Sequence, residues 1–460
     1  MPGKCIPICT AILVFFLCAS LSADEDTGPR TVTERLVVKA DPARWISSSL
    51  QISPDGKRAA FIARAGGSKI MVVDGKEGKP YENIGLGRQF FSPDSARFVY
   101  GALENGKRFM VVDGKEGKRY DALCKRGTVF SPDSRRTAYA ARAGDHWYAV
   151  VDGHEGKGYN LVADGSLTFS PDSAHIAYAA MMDRIFAGKY WCIVVDGKEG
   201  KHYNGIGEGS PVYSPDGRRL AYTALVGRKW CVVLDGKEGK PYDEIKGNSL
   251  VFSPDGMRVA YVARLGNRYF VVVDGEEGKG YDGIGPGTPI FSPDSRHVAY
   301  IGRSGMNAVV VDGKEQGSYA VIGSSSLAFT PDSSRVLLTV RDKGKFFMVS
   351  EGKEGRRYDG ISLGSTVFSP DGRRMAYVAL TGNRQFVVVD ESEGRRYEAV
   401  ITTGGGRLVF DSPTELRYNV IRDTSHIYQV IERFEDTPEQ VPPPQAARPA
   451  ARPAGHAGQA

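Results

Sequence analysis

The chain has 460 residues, 25% of them charged and 41% hydrophobic, and carries a net charge of +6. That balance is ordinary for a soluble protein. The basic residues are spread through Lys-Glu-Gly-Lys and Arg-Arg pairs of mixed sign and form no stripe, which argues against a nucleic-acid partner.

Residues 1–23 read as a secretory signal. Lys4 is the only charge, residues 11–21 are apolar but too few to span a bilayer, and Asp24-Glu25-Asp26 follows. Cleavage is expected near Ala23, giving an exported protein, periplasmic or extracellular, with no membrane span. Cys18 would carry the lipid of a lipoprotein, but Phe15-Phe16-Leu17 lacks the small residues that such a site prefers. Removing the signal takes away one Lys and no acid, so the mature charge is +5. It also removes three cysteines. Cys124, Cys192 and Cys231 remain, an odd number without metal-ligand spacing. Cys192 and Cys231 hold the same place in adjacent repeats, farther apart than the roughly 7 Å a disulfide tolerates, and read as small buried hydrophobes.

From residue 49 onward the chain repeats itself. A marker proline stands at Pro54, Pro93, Pro132, Pro171, Pro215, Pro254, Pro293, Pro331 and Pro370, in steps of 39, 39, 39, 44, 39, 39, 38 and 39 residues. A tenth, degraded copy ends its motif at Pro413. A fixed period of this size means stacked supersecondary units.

Residues 251–290 show one unit. An apolar strand ends in Phe252, and Ser253-Pro254-Asp255-Gly256 makes a tight turn. Residues 258–264 alternate partly between polar and apolar, and residues 269–273 form a β-branched and aromatic run suited to a buried strand. Asp274-Gly275 turns again, and residues 281–284 read as a short last strand. The fold class is therefore all-β: a β-propeller of about ten four-stranded blades built from 39-residue repeats. Residues 407–410, 416–422 and 427–434 supply only three strands of the tenth unit. The strand at residues 31–39 is expected to complete that unit and close the ring, which removes exposed edges. The organisation is thus a signal over residues 1–23, a propeller over 24–435 and a Pro/Ala-rich disordered tail over 436–460.

The aromatic-Ser-Pro-Asp-Gly element, the basic pair and Ala-Tyr that follow it, and the Asp-Gly turn resemble the WD-repeat-like propellers of the TolB type. The resemblance covers residues 49–434. It implies the fold and little about function. TolB itself would carry an α/β domain ahead of its propeller, and residues 24–48 are too few for one. The peptidases with similar propellers carry a separate hydrolase domain, for which no residues remain.

Gly360-Ile361-Ser362-Leu363-Gly364 matches the nucleophile-elbow pattern, which requires a strand before it and a helix after it. Here it fills a loop shared by other units and reads as coincidence. The recurring Asp74, Asp113, Asp152, Asp196, Asp235, Asp274 and Asp312 precede a Gly and read as turn formers, not metal ligands. No metal and no cofactor is expected. Tyr81, Tyr120, Tyr159, Tyr203, Tyr242, Tyr281, Tyr319, Tyr358 and Tyr397 recur once per unit and read as blade packing.

What does not recur points to function. Five residues ahead of the turn aspartate, or of Glu351 and Asp390 where those fill or adjoin its place, stand Lys69, Arg108, Trp147, Trp191, Trp230, Tyr269, Asn307, Phe346 and Gln385. Trp147, Trp191, Trp230 and Tyr269 place large aromatics on four successive units, with Arg228 and Arg268 beside them. The 44-residue unit also adds its extra residues here, over 181–189. These six residues are the candidate ligand site, although the same aromatics could instead fill the core between blades. The function expected is a non-enzymatic binding module, acting as a monomer on a protein, peptide or envelope glycan. Two alternatives stay open, an enzyme with a channel active site (a glycan lyase or hydrolase) and a purely structural surface array.

Overall fold

The computed structural model describes residues 30–85, 91–126, 128–184 and 188–435. The expected signal, Cys18 and the tail from residue 436 lie outside these. The described chain is a ring of ten antiparallel blades, and its one helical turn is Ser47–Ser49. Blade 1 holds Pro54, blade 9 holds Pro370, and blade 10 lies between them.

In blade 6 the second strand, Val259–Leu265, pairs with the third, Arg268–Val273, which pairs in turn with the short fourth strand Glu276–Glu277. The first strand is split: Glu244–Ile245 and Val251–Phe252 pair with opposite ends of the second. This corrects the reading of residues 281–284. Tyr281 bridges back to Tyr269 within blade 6, whereas Gly283–Ile284 already begins the first strand of blade 7. The fourth strand runs through the polar Glu-Glu-Gly-Lys stretch, with Gly278 N–H donating to Val271 O at 3.0 Å. On the outer edge of a blade such a strand needs no apolar alternation.

The five extra residues of the 44-residue unit lengthen a hairpin. In blade 4 the second and third strands are Ile176–Arg184 and Gly188–Val195, nine and eight residues against seven and six in blade 6.

The core lies between blades. Tyr159 and Val162 pack with Ala138, Ala140 and Ala149 of blade 3 and with Tyr178, Tyr190 and Cys192 of blade 4. The recurrent tyrosines other than Tyr319 meet an aromatic ring of the next blade edge-on, as Tyr242 meets Tyr261 with ring centroids 6.1 Å apart; Tyr319 faces a blade with Leu338 at that place. Cys192 and Cys231 are buried and unpaired.

Closure falls to the N-terminal strand, as expected. Arg30–Lys39 runs antiparallel to His426–Phe434, from Arg30 opposite Phe434 to Lys39 opposite His426. Arg30 Nη1 meets the fully buried Glu432 at 2.9 Å. Glu34 accepts from Tyr397 Oη at 2.9 Å and pairs with Arg422 at 2.8 Å. Across the seam Ile52 N–H donates to Gly404 O at 2.7 Å. A Cβ on Gly404 would stand 2.2 Å from Leu50 O, so the seam requires glycine there.

The Ser-Pro-Asp turns share one face of the ring with the Asp-Gly turns; we call it the turn face. In blade 6, Ser253 Oγ donates to Asp255 and accepts from Arg258 N–H. Arg258 Nε reaches Asp274 at 2.9 Å, and its Nη1 donates to Ser295 O and Arg296 O of blade 7 at 3.3 and 2.8 Å. Asp274 also accepts from Val259 N–H. These aspartates are thus occupied in holding turns and neighbouring blades.

The residue after Asp has positive φ in all nine turns, 63–67° in the five serines and 71–74° in the four glycines. Such φ is unfavourable for a side chain. The serines hold it because each hydroxyl accepts a backbone N–H from the preceding blade, as Ser295 Oγ does from Asp255 at 3.0 Å.

Candidate functional site on the hairpin face

The opposite face carries the turns between second and third strands and the joins between blades. The split first strands lie nearest the axis. Arg126 of blade 3 passes over Gly165 of blade 4 to pair with Glu208 of blade 5 at 2.8 Å, a reach that only the inner rim allows.

The third strand begins on this face, so its second residue, or the fourth in the lengthened strand of blade 4, stands beside the crevice between two blades. That position holds the candidate aromatics. Trp147, in His146–Val151, is half-buried against the core between blades 3 and 4. Trp191 is half-buried in a crevice of about 270 Å³ with Ile206, Gly207 and Glu208 of blade 5. Trp230 lies over Gly205 and Gly207 of its own blade, where an added Cβ would come within 3.6 and 3.5 Å of the indole. Tyr269 is half-buried against the core between blades 6 and 7. The four occupy equivalent places on blades 3–6, and each keeps part of its surface in solvent.

The two arginines differ. Arg268 pairs with Asp282 at 2.6 Å, so its guanidinium is already engaged. Arg228 is exposed in the hairpin turn of blade 5.

A larger cavity, about 700 Å³, opens where the column changes character. Blade 2 has Arg108 in place of an aromatic. Val99, Gly101 and Met110 of blade 2 form one side, Leu123 and Trp147 of blade 3 the other, and Leu161 of blade 4 reaches its edge. Cys124 also lines it, and burial pushes its thiol up to about 12, so it stays protonated at neutral pH. Reading only the aromatic column missed this cavity. The signal lay in a neighbouring column, where Gly101 takes the place of Ile62, Val262, Ile301 and Val378.

The nucleophile-elbow match is a coincidence of loop sequence. Gly360–Ile361 is a strand, no helix follows, and Ser362 Oγ lies 3.1 Å from Thr402 Oγ1.

No protein-family model matches the chain, and no curated protein matches it. Similar solved structures include the Cps50 (Swd1) β-propeller domain of Myceliophteria thermophila, 12% identical over 59% of this chain and 98% of that one, with a TM-score of 0.29. TolB from Acinetobacter baumannii is 14% identical over 64% and 79%, with a TM-score of 0.28. The dihydro-heme d1 dehydrogenase NirN in complex with DHE is 15% identical over 58% and 65%, with a TM-score of 0.33. The chain is a β-propeller with WD-repeat and TolB-like neighbours. The expectation that it is not an enzyme is overturned here. A dehydrogenase stands among the similar propellers, so the fold gives no ground for excluding activity, and at this identity it assigns none. Among the described residues no helix is long and apolar enough to cross a membrane.

Proposed function

We propose that this propeller acts outside the cytoplasm, as a monomer, and binds a protein, peptide or envelope glycan on its hairpin face at blades 3–6. One observation carries the reading. Within a closely repeated unit, four successive blades place a half-buried Trp or Tyr at the one third-strand position beside the inter-blade crevices. Rings anchored on one side and wet on the other offer flat, rigid area to a sugar ring or a partner's side chain at little entropic cost. Exposed Arg228 adds donors for an acidic group. The sequence pattern of residues 1–23 supports export.

Trp191→Ala tests the site. A binding role costs about 2 kcal/mol or more of affinity for a partner captured from an envelope extract, with little loss of stability. A core role instead costs about 3–5 kcal/mol in denaturant unfolding and spares affinity. N-terminal sequencing of protein from the envelope fraction tests export, with a start near Asp24 expected and an intact Met1 in the cytoplasm contradicting it.

A further inference from the structure

The cavity between blades 2 and 3 is a local departure from the repeat. Gly101 stands where Ile62, Val262, Ile301 and Val378 are large and Ala140, Ala179, Thr223 and Thr339 are smaller, and Thr128, like Thr366 of blade 9, stands where Leu167, Leu250 and Leu327 fill the inter-blade core. Both changes remove volume at one interface. An added Cβ on Gly101 would sit 3.5 Å from Leu123 Cδ1 and 3.9 Å from Met110 Sδ, ordinary contact distances. Close packing therefore does not demand glycine there, and its φ is not in the left-handed region. The resulting space, about 700 Å³, is of the size that holds small ligands, commonly about 300–1,000 Å³.

The polar groups on the wall are uneven. Arg108 and Lys125 both line the cavity and are exposed, so they stand where it meets solvent. Among the described residues neither has an ion-pair partner, although the neighbouring Lys107 pairs with Asp121 at 2.5 Å. The equivalent cation of blade 1, Lys69, is engaged, donating to Asn83 at 2.8 Å. The acid on the wall, Asp164, accepts from Arg126 N–H at 2.9 Å. An apolar body with two unmatched cations at its mouth complements an apolar molecule that ends in a negative charge.

We propose that this cavity binds a small ligand with an apolar body and one anionic group, a carboxylate or sulfonate. Its body lies between Gly101, Met110, Leu123 and Trp147, and its charge meets Arg108 and Lys125. The site shares Trp147 with the aromatic arc but does not depend on the arc binding a macromolecule.

The test uses two dyes of similar shape, anionic 8-anilinonaphthalene-1-sulfonate and uncharged N-phenyl-1-naphthylamine. Each is titrated into the whole chain with tryptophan-excited energy transfer as the readout. One anionic dye per chain is expected. Arg108→Gln should weaken the anionic dye about tenfold, the effect of a lost charge contact of about 1.4 kcal/mol, and leave the neutral dye within about twofold. Gly101→Ile, a residue other blades carry at this place, should abolish binding of both while the melting temperature holds or rises. Thr128→Leu serves the same purpose should Gly101→Ile fail to fold. Trp230→Ala, outside the cavity, should leave both dyes unaffected even if it destroys partner binding, so the two readings fail separately. Dye binding that survives both cavity-filling variants, or an Arg108→Gln effect equal for both dyes, overturns the proposal.

Discussion

The two faces of the ring are built from the same ten units and differ in what they leave unspent. On the turn face the polar groups that recur from blade to blade are consumed inside the fold. The Ser-Pro-Asp hydroxyls and carboxylates close their own turns, Arg258 ties its blade to the next, and even the choice of Ser or Gly at positive φ follows from a hydrogen bond to the preceding blade. On the hairpin face the backbone is equally regular, but the side chains vary from blade to blade. There the ring holds its half-buried tryptophans, a cavity of about 700 Å³ and two cations that have no ion-pair partner among the described residues. Repetition marks what ten blades need in order to pack, and departure from it marks what one or two blades do for a ligand.

Paired substitutions sharpen this contrast. Arg258→Ala removes two hydrogen bonds to blade 7 and the stacking of its guanidinium over Phe291. It should cost about 2 kcal/mol in urea unfolding. Arg268→Ala, which breaks a single exposed pair on the hairpin face, should cost no more than about 0.5 kcal/mol. Equal costs would erase the distinction between the faces.

Ser295 gives a smaller and more pointed effect. Ser295→Ala loses the hydrogen bond from Asp255 N–H and keeps the unfavourable φ of 66°, so a loss of about 1–2 kcal/mol is expected. Ser295→Gly loses the same bond but relieves the backbone, and should come within about 0.5 kcal/mol of wild type. Urea midpoints of the two variants decide it.

Acid should also loosen the turn face. The hydroxyls of Thr330 and Ser334, with the Ser334 N–H, lower Asp332 from 3.8 to about 2. A carboxylate depressed in the folded state contributes its stability fully above pH 3.8 and loses it as the pH falls toward 2. Asp332 sits in a Thr-Pro-Asp turn, and the aspartates of the Ser-Pro-Asp turns are depressed in the same direction, with Asp294 held down by Ser292 and the Arg296 N–H. Asp332→Asn should lower the urea midpoint at pH 7 and flatten its decline between pH 4 and pH 2. A decline as steep as that of wild type would count against this assignment.

The period, the blade count and the closing strand at residues 31–39 were legible because each is a pattern along the chain. The polar fourth strand was not, since Glu276–Glu277 lies on a blade's outer edge and carries no alternation. The aromatic column was legible as a departure at one repeated position. Its engagement was only half visible, because Arg268 looks free in sequence and is paired with Asp282. The cavity was missed because it depends on residues from neighbouring blades facing one another: Gly101 and Arg108 on one side, Leu123 and Trp147 on the other.

The most direct test of the division between faces compares two whole-face variants for capture of a partner from an envelope extract. One carries Trp147→Ala, Trp191→Ala and Trp230→Ala on the hairpin face. The other carries Arg218→Glu and Met257→Glu, exposed positions on the turn face. The first should lose capture while still unfolding cooperatively, and the second should retain it. Capture kept by the tryptophan variant and lost by the turn-face variant would contradict it.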